Sequence, residues 1–450
     1  MSTRVTLIQT SPDGHWLRTC DAPAFVPDLE NWYGGQAFVL NPAVRYQTMV
    51  GFGGSFTEAA TWALAQLEDE ASEAVLRAYF DPRDGLGYSI GRTHINSCDF
   101  SLENWACADV ADDWSLEHFN LRRTEQYILP ALRRANAIAE EPIKMFASPW
   151  SPPAWMKTNG EMNNGGKLKP ECRQVWADHY ARWIHEVEAA GVPIWGLTVQ
   201  NEPAAVQVWD SCIYTAAEER DFVRDYLGPA LRAAGLGDKK LVVWDHNREL
   251  AFERGATVLS DPEAAQYVWG TGVHWYSGDY FDQLEQLMRA FPDKHVMFTE
   301  GCWEGGVKLG QWDRGTRYAH HMIGDLNHGC VAWCDWNLAL DHTGGPNHVN
   351  NLCDAPVIVD TRSGEVHYQT SFAFIGHFSR YIRPGATRIG LSYIGGGLEA
   401  TAFANPDGSD VLVVHNPTPE AVTYRALHAG GGVELTIPAA SMHTAVFQQA

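Results

Sequence analysis

The chain has 450 residues, with 33 Lys plus Arg against 55 Asp plus Glu and a formal net charge of −22. A chain of this length can bury a large core and exceeds the usual size of one compact domain, so we expect a barrel of about 250 to 350 residues plus a smaller module. The negative field disfavours nucleic acids and anionic membrane surfaces and favours a neutral partner.

The two ends of the chain carry short alternating runs such as TRVTLIQT and DVLVVHN, separated by Gly, Pro, Asn and Asp. Alternation with a period of two is typical of strands that bury one face, and those four residue types are typical of turns. We therefore predict that residues 1–45 and 385–450 together form one antiparallel β-sandwich.

The middle of the chain, residues 46–384, alternates short apolar runs with segments of helical periodicity. Apolar strands between amphipathic helices are typical of a parallel sheet covered on its outer face, and eight repeats favour closure into a (β/α)8 TIM barrel. The predicted strands are 49–56, 88–95, 142–149, 194–201, 240–247, 267–275, 294–300 and 329–338. The predicted helices include 60–79, 118–139, 173–190, 216–235, 279–291 and 313–327.

The first residues, MSTRVTLIQTSPDGHW, lack a continuous apolar region and a small-residue cleavage site, so we expect no secretory signal and a cytoplasmic location. No apolar stretch approaches the length of about 18 residues that spans a membrane. The nine cysteines are scattered without CxxC spacing, which favours reduced thiols. Cys330 and Cys334 lie in an apolar segment without a second ligand pair, so we predict core packing there and no metal site.

Polar and aromatic side chains lie at or just beyond the C-terminal ends of six predicted strands, which is the end of a barrel where active sites form. They are Arg92 and Cys98-Asp99-Phe100, Ser148-Pro149-Trp150, Asn201-Glu202-Pro203, His274-Trp275-Tyr276, Thr299-Glu300, and Asp335-Trp336-Asn337. The chain also holds 18 Trp, and flat indole faces stack well on the apolar faces of sugar rings. This ring of residues indicates a saccharide pocket.

Glu202 and Glu300 are the best-placed pair of carboxyl groups in this ring. Glycoside hydrolysis needs one carboxylic acid to protonate the departing oxygen and one carboxylate to attack the anomeric carbon or to activate water. A single Glu at a strand end is often a salt-bridge partner or a helix cap. Burying two carboxylates among the aromatic residues of one pocket costs free energy, so two such Glu residues indicate a function. The pair therefore indicates a glycosidase.

Long motifs at these positions strongly resemble glycoside hydrolase family 30, and in particular its glucosylceramidase-type branch. They are GFGGSFTEAA, SCDFS, ASPWSPPAWMKTNG, TVQNEP, HWY, FTEG, WNLALDHTGGPNHVNN, PVIVD and SRYIRPGATRIGL, in order from about residue 48 to 390. The resemblance implies a retaining β-glycosidase mechanism, a barrel joined to a β-sandwich, and no cofactor and no metal.

The resemblance also assigns roles. Glu202 would be the acid/base and Glu300 the nucleophile, with Asn201 holding the 2-hydroxyl of the sugar. Four further residues would bind the sugar in the −1 subsite and three would support the pair: Asp99, Trp150, Trp336 and Asn351, then Arg92, His274 and Tyr276. We expect a cation and a phenol to keep Glu300 ionised, while burial keeps Glu202 protonated.

Three other residues receive a structural interpretation. Glu58 follows Ser55 at the spacing of a capping box, so we predict a helix-cap role. His94 alternates with Arg92 on one strand face, which favours a hydrogen-bonded barrel histidine over a catalytic base. Glu304 lies beyond the strand end and is a weaker candidate nucleophile than Glu300.

The substrate stays open at this point. Lipid-cleaving members of the family have disulfides near the N-terminus, where this chain has Cys20 alone, so small β-glucosides, gluco-oligosaccharides and β-xylosides stand beside ceramide glycosides. Within enzymes the alternatives are a β-xylosidase and an endo-β-1,6-glucanase. Outside them, a carbohydrate-binding pseudoenzyme would keep the aromatic ring without chemistry, and a metal-dependent hydrolase would need a ligand cluster that the sequence does not reveal. Oligomeric state is likewise open.

Overall fold

The computed structural model describes residues 3–27, 29 and 35–449, which divide by spatial contact into two compact units. One unit comprises the described residues of 1–51, 309–331 and 368–450, and the other comprises 52–308 and 332–367. Residues 1–2, 28, 30–34 and 450 of the predicted sandwich segments lie outside the described part. The domain limits at 45/46 and 384/385 stay a prediction.

The strands, numbered in chain order, are β1 (Thr3–Ser11), β2 (His15–Cys20), β3 (Val26–Pro27), β4 (Gln36–Thr48), β5 (Gly51–Ser55), β6 (Ile90–Ile95), β7 (Lys144–Pro149), β8 (Ile194–Thr198), β9 (Lys240–Asn247), β10 (Val268–His274), β11 (His295–Glu300), β12 (Cys330–Asn337), β13 (Ala339–Asp341), β14 (Val357–Asp360), β15 (Glu365–Tyr368), β16 (Thr387–Ile394), β17 (Glu399–Ala404), β18 (Asp410–Asn416), β19 (Val422–His428), β20 (Gly431–Ile437) and β21 (Ser441–Gln449).

The α-helices are α1 (Glu58–Ala65), α2 (Asp69–Phe80), α3 (Arg122–Gln126), α4 (Ile128–Ile138), α5 (Arg173–Ala189), α6 (Ala216–Phe222), α7 (Gly228–Ala233), α8 (Ala251–Leu259), α9 (Pro262–Ala265), α10 (Phe281–Ala290), α11 (Trp312–Asn327) and α12 (Thr370–Ser379). A π-helical turn, Val223–Leu227, joins α6 to α7, and short 3-10 turns lie at Ala154–Met156, Pro170–Cys172 and Arg248–Leu250.

Strands β5 to β12 close into the predicted barrel, with each of the eight predicted strands present. Neighbouring strands from β5 through β11 pair in parallel. All six residues of β6 are buried, as expected for a strand with side chains inside the barrel and under the outer helices. A Cβ at Gly53 would overlap the carbonyl oxygen of Ile90, so glycine there permits the close approach of β5 to β6.

The helices are more broken than the periodicity predicts. The predicted helix 60–79 is two helices, because the chain turns at residues 66–68 and buries Leu67 before α2 presents its own apolar face. The predicted helix 216–235 is interrupted by the π-helical turn before Pro229, which lacks the N–H of a continuous α-helix. Helices α8, α9 and α12 lie outside the six helical segments named from the periodicity.

The strands of both chain ends form one ten-stranded sheet in the order β2-β1-β21-β18-β17-β16-β4-β19-β20-β3. Its pairs are antiparallel except for β4 with β19. One apolar core contains Leu7 and Phe447 from one side of this order and Tyr424 and Val433 from the other. The sheet therefore folds over itself in two layers, which is the predicted β-sandwich.

Two smaller expectations have a structural outcome. Cys330 and Cys334 are buried in β12, which confirms core packing for this pair, and all nine cysteines are free thiols. Among the described residues, no helix combines the length and apolarity needed to cross a lipid bilayer.

Candidate active site

A cavity of about 590 Å³ opens where the barrel strands end at their carboxyl termini. The cavity is lined by eight of the ten residues predicted from the sequence, namely Asp99, Trp150, Asn201, Glu202, Tyr276, Glu300, Trp336 and Asn351. The other two, Arg92 and His274, are fully buried behind its wall. The fold thus brings the whole predicted set together.

Irregular backbone aims the functional side chains at this cavity. Between β9 and β10, Trp244 lies opposite Gly272 and His246 opposite Val273, so Asp245 is an extra, bulged residue. Between β10 and β11, a second register shift precedes Glu300. β-bulges re-aim side chains in this way and are frequent beside active sites.

Three non-glycine residues at the site have left-handed backbone conformations. The φ angles are 47° at Glu202, 71° at Trp244 and 49° at Asp245. Such residues cost about 1 to 3 kcal/mol each and persist only where surrounding contacts hold them. Here the N–H of Glu202 donates to the carbonyl of Asp245 (3.0 Å), and the N–H of Trp244 donates to the buried carboxylate of Glu219 (2.8 Å).

Glu300 is held by two donors. The Nη1 of Arg92 lies 2.5 Å from one carboxylate oxygen, and the hydroxyl of Tyr276 donates to the other at 2.9 Å. Burial raises the pKa of the Tyr276 phenol well above its ordinary value, so this hydroxyl stays protonated and keeps donating. The predicted supporting roles of Arg92 and Tyr276 therefore have a direct geometric basis.

Asp245, which the sequence analysis missed, hydrogen-bonds to the buried residues that contact Glu202 and Glu300. Its Oδ2 accepts from Arg92 (2.8 Å), Thr198 (2.6 Å) and Ser148 (3.0 Å). Its Oδ1 faces Nε2 of His274 at 3.0 Å. Burial raises the pKa of Asp245, but Arg92 and His274 outweigh burial and lower it far below the ordinary range. A permanently ionised carboxylate thus fixes the positions of one arginine and one histidine.

Glu202 faces two histidines. Its Oε1 lies 3.1 Å from Nδ1 of His274 and 3.5 Å from Nδ1 of His246. Burial raises the pKa of Glu202, but His246 and His274 more than offset it and hold the pKa below its ordinary value. The sequence expectation, that burial keeps Glu202 protonated, is wrong for the free enzyme because it did not include these two imidazoles.

The pKa of Glu300 is raised, although we expected its neighbours to keep this carboxylate ionised. Burial raises its pKa, and His274 and Arg92 oppose this only in part. For His274, burial lowers the pKa, but the charges of Glu300, Asp245 and Glu202 outweigh burial and raise it to about 9. His274 therefore holds a proton at hydrogen-bond distance from the carboxylate of Glu202.

The predicted sugar-binding residues form the walls of the cavity. The indoles of Trp150 and Trp336 stack with ring centroids 5.2 Å apart, and the guanidinium of Arg92 lies 4.7 Å from the centroid of Trp150. Oδ1 of Asn201 accepts from Arg92 at 2.8 Å, which leaves its amide nitrogen as a donor. Asp99 accepts from Asn347 at 3.2 Å, and burial together with neighbouring carboxylates raises its pKa well above the ordinary value.

The structure also places the three other residues considered from the sequence. Glu58 is fully buried and pairs with Arg123 (2.7 Å), but the helix cap is Thr57 and Glu58 is the first helical residue, so the predicted capping box is wrong. His94 is buried and accepts from the N–H of Glu58 (2.9 Å), which supports its structural role. Glu304 is exposed at the cavity rim.

Sequence reasoning also missed the histidine beside Asp245. His246 lines the cavity, and with Glu202 and His274 it offers three metal-ligand atoms that all lie within 4.8 Å of one another. The fold thus brings together a possible ligand cluster that the sequence did not reveal. Both missed residues end the fifth predicted strand, so the rule applied at the other strand ends would have found them.

Comparison with known proteins agrees with this geometry. Residues 49–382 match the glycosyl hydrolase family 30 TIM-barrel domain, and residues 385–445 match the family 30 beta sandwich domain. The chain is 36% identical over 435 residues to the lysosomal acid glucosylceramidase of Mus musculus, covering 92% of this chain and 84% of that protein.

Two solved structures are similar over nearly the whole chain. SrfJ from Salmonella typhimurium has a TM-score of 0.95 and 35% identity, with 99% of this chain and 100% of that chain covered. An endo-β-1,6-glucanase has a TM-score of 0.88 and 29% identity, with the same coverage of 99% and 100%.

Proposed function

The chain belongs to glycosyl hydrolase family 30, and from that premise we propose that it hydrolyses β-glucosidic bonds through a covalent glycosyl-enzyme on Glu300. The observation that carries this proposal is the shared cavity of Glu300 and Glu202, in which each carboxylate has a different set of partners. Glu300 is bound by a permanent cation and a phenol, whereas Glu202 is bound by a histidine that can exchange its proton.

In the first step, a carboxylate oxygen of Glu300 attacks the anomeric carbon while the bond to the aglycone oxygen breaks. Glu202 gives that oxygen a proton, so the aglycone leaves as a neutral alcohol. His274 supplies the proton to Glu202 across their 3.1 Å contact. Attack by Glu300 is favoured because Arg92 and Tyr276 hold the carboxylate in one orientation.

In the second step, water attacks the same carbon and releases Glu300, and Glu202 takes the proton from the water and returns it to His274, which restores the free enzyme. Two inversions give a product with the original β configuration. Throughout, the amide nitrogen of Asn201 is free to donate to the 2-hydroxyl, because its oxygen is engaged with Arg92. Asp99, which burial keeps protonated, is suited to donate to another sugar hydroxyl.

Our first candidate substrate is a β-glucoside with an apolar aglycone. The curated mouse relative is a glucosylceramidase, which supports this choice. Next to Glu202, the loop leading to the cavity-lining Trp209 exposes 68% of Val206 and 63% of Val208, and these apolar side chains suit an apolar leaving group. The similar endo-β-1,6-glucanase structure supports a second candidate, a β-1,6-linked glucan.

The test replaces each glutamate separately and assays an aryl β-glucoside that has a good leaving group. Glu300→Gly should abolish turnover, and azide should then give an α-glycosyl azide. Glu202→Gly should retain the first step, because a good leaving group needs little acid help, and azide should give a β-glycosyl azide.

Glu140→Gly is the matched control, because Glu140 is exposed and does not line the cavity, and it should keep turnover. The exchange of the two azide products would reverse the proposed roles. Hydrolysis rates are measured in parallel on three further substrates. An aryl β-xyloside tests the preferred sugar, and a β-1,6-linked glucan and a glucosylceramide analogue test the preferred aglycone. Failure of the wild-type enzyme on all four substrates would contradict the proposal.

A further inference from the structure

Three potential metal ligands converge on one point beside the cavity. Oε1 of Glu202 lies 3.1 Å from Nδ1 of His274 and 3.5 Å from Nδ1 of His246, and the three atoms lie within 4.8 Å of one another. In a tetrahedral zinc site with bonds of about 2.0 to 2.2 Å, neighbouring ligand atoms lie about 3.3 to 3.5 Å apart. The Glu202–His246 distance matches that spacing, and the Glu202–His274 distance is about 0.2 Å shorter than it.

The surroundings of these ligands also fit a metal. His274 contacts Asp245 through its second ring nitrogen (Nε2 to Oδ1, 3.0 Å), which is the carboxylate–histidine arrangement that orients metal-binding imidazoles. Nδ1 of His246 is buried and makes no hydrogen bond to any residue that the structure describes. A buried ring nitrogen without a hydrogen bond is costly, and a metal ion would satisfy it.

We propose that Glu202, His246 and His274 form a binding site for a divalent transition metal of the zinc type, and that occupancy reversibly inhibits the enzyme. Two imidazole nitrogens and one carboxylate oxygen are the donor set that zinc prefers, and the adjoining cavity leaves a fourth position for water. The metal takes the place of the proton between His274 and Glu202, and that proton goes to solvent.

Metal binding goes beyond the proposed function, whereas its inhibitory effect rests on the proposed role of Glu202 as the acid/base. A metal-bound carboxylate oxygen cannot protonate the leaving group. The enzyme is therefore active without metal and loses activity in proportion to metal occupancy. A chelator should therefore leave this enzyme active, whereas a chelator would inactivate a metal-dependent hydrolase.

The experiment measures binding separately from activity. Purified full-length protein is freed of metal with a chelator and titrated with Zn²⁺ by calorimetry, and with Co²⁺ by visible absorption, which distinguishes tetrahedral from octahedral coordination. Wild type should bind one ion tightly with tetrahedral Co²⁺ bands. His246→Asn should weaken metal binding by at least about tenfold. Mutation of a residue that only hydrogen-bonds to a metal ligand already lowers metal affinity by about 10- to 100-fold.

Glu202→Gln, which keeps the side-chain shape, should weaken binding as well and covers the case in which His246→Asn does not fold. His118→Asn is the matched control, because His118 is exposed, and it should bind like wild type. Zn²⁺ should inhibit wild-type hydrolysis of an aryl β-glucoside and a chelator should restore it.

Equal affinity in wild type and both site variants, or octahedral Co²⁺ bands alone, would overturn the site. Binding at the site without inhibition would instead contradict the acid/base role of Glu202 and leave the metal site standing. Loss of activity on chelation would overturn the inhibitory effect and favour a required metal.

Discussion

The hydrogen bond from Tyr276 to Glu300 gives a quantitative prediction for Tyr276→Phe. The bond is 2.9 Å long and reaches a buried carboxylate. Removing one charge-assisted hydrogen bond of this kind costs about 1.5 to 3 kcal/mol. At about 1.36 kcal/mol for each pKa unit, the pKa of Glu300 should rise by a further one to two. Because Glu300 must be ionised to attack, the acidic limb of kcat/KM should move upward by the same amount.

The assay is the pH dependence of kcat/KM on an aryl β-glucoside, measured for wild type and variant. On the acidic side the variant should be slower by about 10- to 100-fold, while the alkaline limb should change little. Tyr280→Phe is the matched control, because Tyr280 lies in the same loop and is 49% exposed. An unmoved acidic limb, with kcat/KM reduced equally at every pH, would refute the reasoning.

Three further predictions concern product, sugar and stability. Proton NMR early in the reaction should show β-configured sugar, and an α product would exclude attack by Glu300. The family resemblance implies that Asn351 lies near the 6-hydroxymethyl group of glucose, which xylose lacks. Asn351→Ala should therefore lower kcat/KM for a β-glucoside by about tenfold or more and spare a β-xyloside; an equal effect on both would exclude this contact. Burial raises the pKa of Glu399, but His320 and His415 lower it to about 2, so its stabilising effect is complete above the ordinary value of 4.5 and lost as pH falls toward 2. Glu399→Gln should therefore lower the free energy of unfolding near neutral pH by about 1 to 2 kcal/mol and not near pH 2, as measured by urea denaturation; an equal loss at both pH values would contradict this.

The barrel strands were predictable because their signal is local. Each is a short apolar run bounded by turns, so all eight appear within a few residues of their predicted limits. Helix breaks were not predictable, since helical periodicity continues across residues 66–68, where the chain turns and buries Leu67. The parallel pair β4 with β19 likewise joins segments nearly 400 residues apart in sequence.

Within the site, residue identities were easier to predict than electrostatics. Glu202 and Glu300 carry motif and strand-end signals, and the fold brings both to one cavity. Their pKa directions depend on which side chains face them across the barrel. His274 reaches Glu202 over 72 positions of sequence, and Asp245 fixes the opposite side of the same imidazole. No spacing rule along the chain contains that information.

The left-handed conformation at Trp244 limits how the enzyme can be stabilised by engineering. Glycine at this position would relieve about 1 to 3 kcal/mol of backbone strain. It would also remove an indole that is 1% exposed, donates to the carbonyl of Asn247 (2.9 Å) and lies 4.5 Å from the guanidinium of Arg254. Loss of a buried Trp side chain costs about 3 to 5 kcal/mol, so the exchange is unfavourable on balance. Replacing Trp244 with glycine would therefore not stabilise the enzyme, and gains in thermal stability must be sought at other positions.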